Sequence, residues 1–229
     1  MKGDVVRKFL WENSLTLFFL GLLVLALVGQ ALAGHAVYNN DQIAEGTATV
    51  SLASYVMSSD FAVDVAENWQ SEYLQFFLYI FVTVWLVQRG SPESKVLGKA
   101  GLESDKEQQV GSHAGSHSPP WARVGGLRGA VFSRSLGFVM GLLFALSWLA
   151  QSVAGRAAYN ARQLSQYEDP VSWVGYVTSA DFWHRTLQNW QSEFLAVASM
   201  VVFAIYLRQR GSPESKPVGA AHTSTGVEG

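Results

Sequence analysis

Asn68-Trp69-Gln70-Ser71-Glu72 recurs unchanged as Asn189-Trp190-Gln191-Ser192-Glu193, and Gln88-Arg89-Gly90-Ser91-Pro92-Glu93-Ser94-Lys95 recurs unchanged over 209–216. Both pairs are offset by 121 residues. In that register residues 30–95 match residues 151–216 without a gap at roughly 29 of 66 positions, and self-similarity at one fixed offset marks a repeated unit. Gln30, Gly34, Tyr38 and Asn39 of the first copy answer Gln151, Gly155, Tyr159 and Asn160 of the second.

Each copy carries two apolar segments. Ser14 to Ala33 and Ser135 to Ala154 contain no charged side chain and are about 20 residues long, enough to cross ~30 Å of hydrocarbon. The second segments, Tyr73 to Val87 and Phe194 to Leu207, reach spanning length when the Trp-Gln-Ser-Glu run joins the same helix. No Gly or Pro interrupts 61–89 or 181–210. Their ends are marked twice over: Arg89 and Arg210 suit the negative end of a helix, Gly90 and Gly211 suit a left-handed C′ residue, and Pro92 and Pro213 forbid continuation. The first span follows Lys2, Arg7 and Lys8 like a signal peptide, but its apolar run is longer than a signal core and its repeat cannot be a leader.

The remaining composition agrees. The chain has 229 residues, 49% apolar and 15% charged, where about a quarter charged is usual for soluble domains. A net charge of −2 gives no basic footprint for nucleic acid, and the lack of cysteine removes disulfides and thiolate chemistry. Thirteen of the 16 Lys and Arg residues precede the first span, lie between spans two and three, or follow the fourth. The positive-inside rule then places both termini and the linker in the cytoplasm and the two long loops outside. The predicted fold is an all-α membrane protein: four transmembrane helices as two parallel repeats of a helical hairpin, with short interfacial helices in the outward loops. The first repeat occupies residues 1–95, with spans at about 14–33 and 70–88, and the second 131–216, with spans at about 135–154 and 191–208.

Serines at helical spacing (Ser51, Ser54, Ser58) and Ser172, Gly175, Ser179 predict the short outward helices, after which Asp60 and Asp181 are candidate N-caps. The 96–130 stretch, rich in Gly, Ser and Pro, reads as a flexible cytoplasmic linker, and 217–229 as a disordered tail. His113 and His117 lie in that linker without further ligands, so no metal site is expected.

Gln30, Glu72, Gln151 and Glu193 form the candidate polar layer, ligand-binding or structural, because a carboxylate at membrane depth needs a partner and small residues beside each Gln permit close helix approach. The expected pairs are Gln30 with Glu72 and Gln151 with Glu193. Trp69, Trp190, Tyr38 and Tyr159 read as interface anchors. Gln75, Tyr79 and Thr83 make a polar stripe that Ala196, Met200 and Ala204 replace in the second copy, which argues against a symmetric pathway through the bilayer.

The Asn-Ser-Leu-Thr-Leu opening of span one, the Gly-Gln-Ala-Leu-Ala-Gly turn into Tyr38-Asn39, the Asn-Trp-Gln-Ser-Glu-Tyr-Leu-Gln block and the Gln-Arg-Gly-Ser-Pro-Glu-Ser-Lys exit resemble an uncharacterised bacterial membrane-protein family, a domain of unknown function. The resemblance implies a bacterial inner-membrane location and supplies no activity, cofactor or catalytic residue. With no zinc, nucleophile-elbow, phosphate-loop or dinucleotide motif in the chain, the expectation is a non-enzymatic, cofactor-free envelope or partner-binding protein. The alternative is a small transporter or ion-binding sensor using the Gln/Glu layer. The bilayer is the expected partner, with a protein partner or a homo-oligomer open and nucleic acid excluded.

Overall fold

The computed structural model describes residues 2–227. The side chain of Lys2 and the last two residues of the tail fall outside the described set. The described chain is all α-helical, with no strand. α1 (Lys2–Glu12) leads into α2 (Ser14–Ala44), α3 (Leu52–Val56) and α4 (Ser59–Val82), and after the linker α5 (Gly126–Phe132) leads into α6 (Ser135–Ser165), α7 (Trp173–Val177) and α8 (Ala180–Tyr206). Two short 3-10 turns, Gly111–His113 and Pro120–Arg123, precede α5 in the segment expected to be a plain tether.

α2 and α6 are each 31 residues and apolar enough to cross a membrane. They run well past the expected span ends at Ala33 and Ala154, so Tyr38-Asn39 and Tyr159-Asn160 lie on helix, not in a turn. The single residue between α1 and α2 is Asn13, whose side-chain amide donates back to the Phe9 carbonyl (2.8 Å); at the same register Arg134 donates to the Ala130 carbonyl between α5 and α6 (3.2 Å).

Among the described residues, only these two helices qualify as spans by length and hydropathy. α4 carries Asp60, Asp64, Glu67 and Glu72, and it stops at Val82 rather than near Arg89. Its apolar part from Tyr73 is therefore roughly 15 Å of helix, half a hydrocarbon core. At the stop, the Thr83 hydroxyl and the Thr83 amide both donate to the Tyr79 carbonyl (2.6 and 3.2 Å), and the Tyr79 hydroxyl donates to the Glu93 carboxylate, which holds the exit segment back against the helix end. α8 has Ala204 at that position and continues to Tyr206.

The repeated octapeptides consequently stop no helix directly. Each folds into the same compact turn: Ser94 Oγ accepts from the Gln88 amide (2.8 Å), and Ser215 Oγ from the Gln209 amide (2.9 Å). Gly90 and Gly211 are left-handed as expected, with φ of 86° and 79°, but within these turns. Pro92 and Pro213 sit in the same turns. The cation on the end of α8 is Arg208, not Arg210; its guanidinium donates to the Ala204, Ile205 and Leu207 carbonyls at 3.3, 3.1 and 2.7 Å.

Lys216 ties the tail down. Its buried ammonium donates to the carbonyls of Gly90, Ala221, His222 and Ser224 at 2.6, 3.2, 3.0 and 3.2 Å, and the Gly226 amide reaches Ser91 (3.0 Å). Residues 220–226 thus lie across the first octapeptide, where composition leads one to expect no structure. Lys216→Met should leave those carbonyls without their donor and speed hydrogen exchange at Gly90 and Gly226 on the order of tenfold or more, as loss of a buried partner of ~1–3 kcal/mol requires.

The helices pair across the two halves. α4 packs along its length on α6 and more lightly on α8, whereas α2 rests on α3 and α6 on α7. No residue of α2 is buried.

Candidate functional site

Two joints with the same chemistry bend the chain at the end opposite the octapeptides. Ser51 and Ser172 cap α3 and α7, accepting from the Ser54 and Gly175 amides (both 3.1 Å). Ser58 and Ser179 cap α4 and α8, accepting from the Phe61 and Phe182 amides (both 3.3 Å). Asp60 and Asp181 therefore sit inside the first turn instead of at the cap, where the helix dipole still favours a carboxylate.

Each short helix drives one tyrosine onto a glycine. Tyr55 lies over Gly34 and Tyr176 over Gly155, so close that a Cβ at either glycine would collide with the phenol. Tyr38 and Phe61 pack on Tyr55 (centroids 5.5 and 5.6 Å), and Tyr159 and Phe182 on Tyr176 (both 5.6 Å). An asparagine clamps each loop: Asn39 accepts from the Val50 amide (2.8 Å) and donates to its carbonyl (3.1 Å), and Asn160 does the same with Val171 (2.8 and 3.0 Å). Asn160→Ala should cost about 1–2 kcal/mol through two lost bonds and raise protease sensitivity in 166–171, while leaving the 45–50 loop unchanged.

Between the joints lies a charged cluster that bridges the halves. Arg185 of α8 meets Glu67 (3.0 Å) and Asp64 (3.5 Å) of α4 and Asp181 of its own helix (3.6 Å). Arg162 also reaches Asp181 (3.6 Å), to which the Tyr176 hydroxyl donates (3.2 Å). Burial pushes the Asp64 and Glu67 carboxyls above their usual range, and Arg185 pulls them only part of the way back. The Tyr176 phenol is raised by the same burial and by the Asp181 charge.

One helical turn further along is an amide layer. Gln70 and Gln151 are buried; Gln70 accepts from the Trp190 indole N–H (2.9 Å), and Gln151 donates to the Thr186 hydroxyl (3.3 Å). Gln70 Nε2, Gln151 Oε1 and the Trp148 indole N–H are buried without a partner. Trp148 stacks among Phe182, Trp183 and Trp190 with centroids 5.9–6.1 Å away.

The expected Gln–Glu pairs are thus replaced by others. Gln151 is central, Gln30 is half-exposed, Glu72 is exposed, and Glu193 lies half-buried beside Ser71 and Glu72. Trp69 is exposed, whereas Trp190 turns its indole inward to Gln70 and Tyr38 and Tyr159 are half-buried in the joints. Gln70, Tyr55, Tyr176 and Arg185 escaped the sequence reading. For the first three a signal was there, since each keeps its identity at the 121-residue offset; Arg185 had none, because its aligned partner is Asp64.

A family model described as Domain of unknown function (DUF6766) matches residues 6–227. The chain belongs to that family. The DUF6766 match takes in both joints, the charged cluster, both octapeptides and nearly all of the tail. No curated protein and no solved structure matches the chain significantly.

Proposed function

We propose that this DUF6766 chain is a multi-pass protein of the bacterial inner membrane, not an enzyme, built from a duplicated helical hairpin whose outward layer engages a protein partner or supports the envelope. The observation that carries it is the division of each long helix pair into one charged, aromatic end and one apolar end. α2 and α6 both begin beside basic residues (Arg7 and Lys8; Arg128 and Arg134), so the positive-inside rule gives them one direction. The chain must then return between them. α4 and the apolar run 83–87 that follows it are the segment able to do so, the acidic end of α4 standing above the hydrocarbon and its apolar end sheltered by α6. α8 returns the chain again, delivering Arg208, Arg210 and Lys216 to the cytoplasmic side.

The test is topology in a bacterial host. Reporters fused after Lys95 or Lys216 should read cytoplasmic, a thiol placed in the 45–50 loop should react with an impermeant reagent from outside, and alkaline carbonate should leave the chain in the membrane pellet. A periplasmic reporter at Lys95, or release by carbonate, overturns the reading. The transporter alternative draws on Gln70 Nε2 and Gln151 Oε1, the buried amide atoms without a partner. It predicts solute flux in liposomes that a Glu72→Gln, Glu193→Gln variant loses; the proposed role predicts no flux in either protein.

A further inference from the structure

Two matched surfaces of this chain have different surroundings. On α4, Gln70, Ser71 and Leu74 are buried, Leu74 to 8% exposure, where α4 packs on α6 and takes the Trp190 indole. The same residue types recur on α8 as Gln191, Ser192 and Leu195, and there all three are exposed, Leu195 to 65%. The covering helix has its own counterpart. Gln151 and Gly155 of α6 are buried, whereas Gln30 and Gly34 of α2 are only partly covered, and the α2 flank below them is bare. One half of the chain shows the pairing, and the other half displays both of its surfaces unpaired.

The joint keeps α2 from closing this gap itself. Tyr55 against Gly34 and Asn39 around Val50 set the angle of α2, as Tyr176 and Asn160 set that of α6. Held there, α2 takes its main packing from α3, with no comparable packing on its own α8. The exposed Gln191 amide on α8 sits at the outer edge of the hydrocarbon, and helix pairing through small residues and amides is how membrane helices satisfy such groups.

We propose that α2 of a second copy lies on α8 as α6 lies on α4, and that the exchange is reciprocal. Side-chain volumes agree with that register. Phe77 of α4 packs on Gly141 of α6, with the ring 3.2 Å from where a Cβ would stand. The 121-residue offset converts this pair into Ala198 on α8 and Leu20 on α2, so bulk moves from one helix to the other while each pair keeps one large and one small member. Reciprocity also closes the assembly: α4 meets α6 within each chain, α8 meets α2 between chains, and a twofold dimer results with neither surface left over. The depth assigned to Gln191 rests on the membrane reading; the pairing rests on the packed and bare faces.

The chain has no cysteine, which makes the test direct. Leu20→Cys and Ala198→Cys, made singly in full-length chains with different tags and coexpressed, should form a disulfide-linked dimer carrying both tags when membranes are oxidised. The unaltered protein should run in detergent or nanodiscs at twice its 25.0 kDa chain mass. Absence of the mixed-tag band, closure only within one chain in the Leu20→Cys, Ala198→Cys double variant, or a monomer mass for the unaltered protein overturns the proposal. Failure of the membrane reading is separately visible: carbonate then releases a protein that still forms the mixed-tag dimer.

Discussion

Arg185→Met should lower the thermal midpoint of the detergent-solubilised protein by more than any single carboxylate substitution in the same cluster. Arg185 is the common partner of Glu67, Asp64 and Asp181, and its removal strands three carboxylates with only Arg162 nearby. Breaking a fully buried pair costs about 3–5 kcal/mol; the cluster is partly open to solvent, so roughly 2–3 kcal/mol is expected. Glu67→Gln should cost less than about 1 kcal/mol, because the amide oxygen still accepts from Arg185 and a desolvated charge is gone. The pH dependence has a definite sign. Asp64 and Glu67 have folded-state pKa values above their unfolded ones, so the stability they contribute is complete at low pH and is lost as pH rises through the raised values. Without Arg185 these values rise further and the loss is larger. The deficit of Arg185→Met should therefore be greater at pH 8 than at pH 5.5, and an equal deficit at both would show that the cluster does not bind protons in this way.

Gly155→Ala should destabilise the second joint by about 1–3 kcal/mol, although alanine is the better helix former by about 1 kcal/mol. The new methyl would enter the space of the Tyr176 phenol, whose side chain is 0% exposed and cannot swing into solvent without abandoning Tyr159, Phe182 and Asp181. Gly137→Ala is the control. Nothing lies within 4 Å of a Cβ there, so it should be neutral or stabilising. Tyr176→Phe alone costs about 1 kcal/mol through the lost bond to Asp181, yet it removes the atom that collides first. The Gly155→Ala, Tyr176→Phe pair should thus be less destabilised than the sum of its parts, by about 1 kcal/mol, with relief incomplete because the next ring carbon stands 2.9 Å from the methyl. Tyr176→Ala, which empties the site, should cost the most, roughly 3–5 kcal/mol. Thermal midpoints of the five variants in one detergent decide the matter; strict additivity would separate tyrosine from glycine.

Local chemistry was legible and partnership was not. The 20-residue apolar runs, the serine-spaced short helices and the left-handed Gly90 and Gly211 follow from periodicity and backbone sterics, and the structure has all of them. Cap positions slipped by a turn fraction because Ser58 and Asp60 are both good N-caps, and only the hydroxyl's reach to Phe61 decides between them. The stop of α4 goes with a tertiary tie, the Tyr79 hydroxyl on the Glu93 carboxylate, and no Gly or Pro marks it in the sequence. α1 is hard to see in sequence because Lys2, Arg7 and Lys8 break up the apolar Val5, Val6, Phe9 and Leu10 beside them. That α4 chooses α6 could not be read at all: a periodic stripe states that a face is apolar, and says nothing about which helix will cover it.

Arg185 occupies the place that Asp64 holds in the other half, and the two meet. A tandem of two amino-terminal halves would set carboxylate against carboxylate, and one of two carboxy-terminal halves guanidinium against guanidinium, at a separation where like charges repel strongly. Neither half can stand in for its sibling. One position gives the duplicated unit a heads and a tails, and a chimera that joins two like halves loses that opposition of sign.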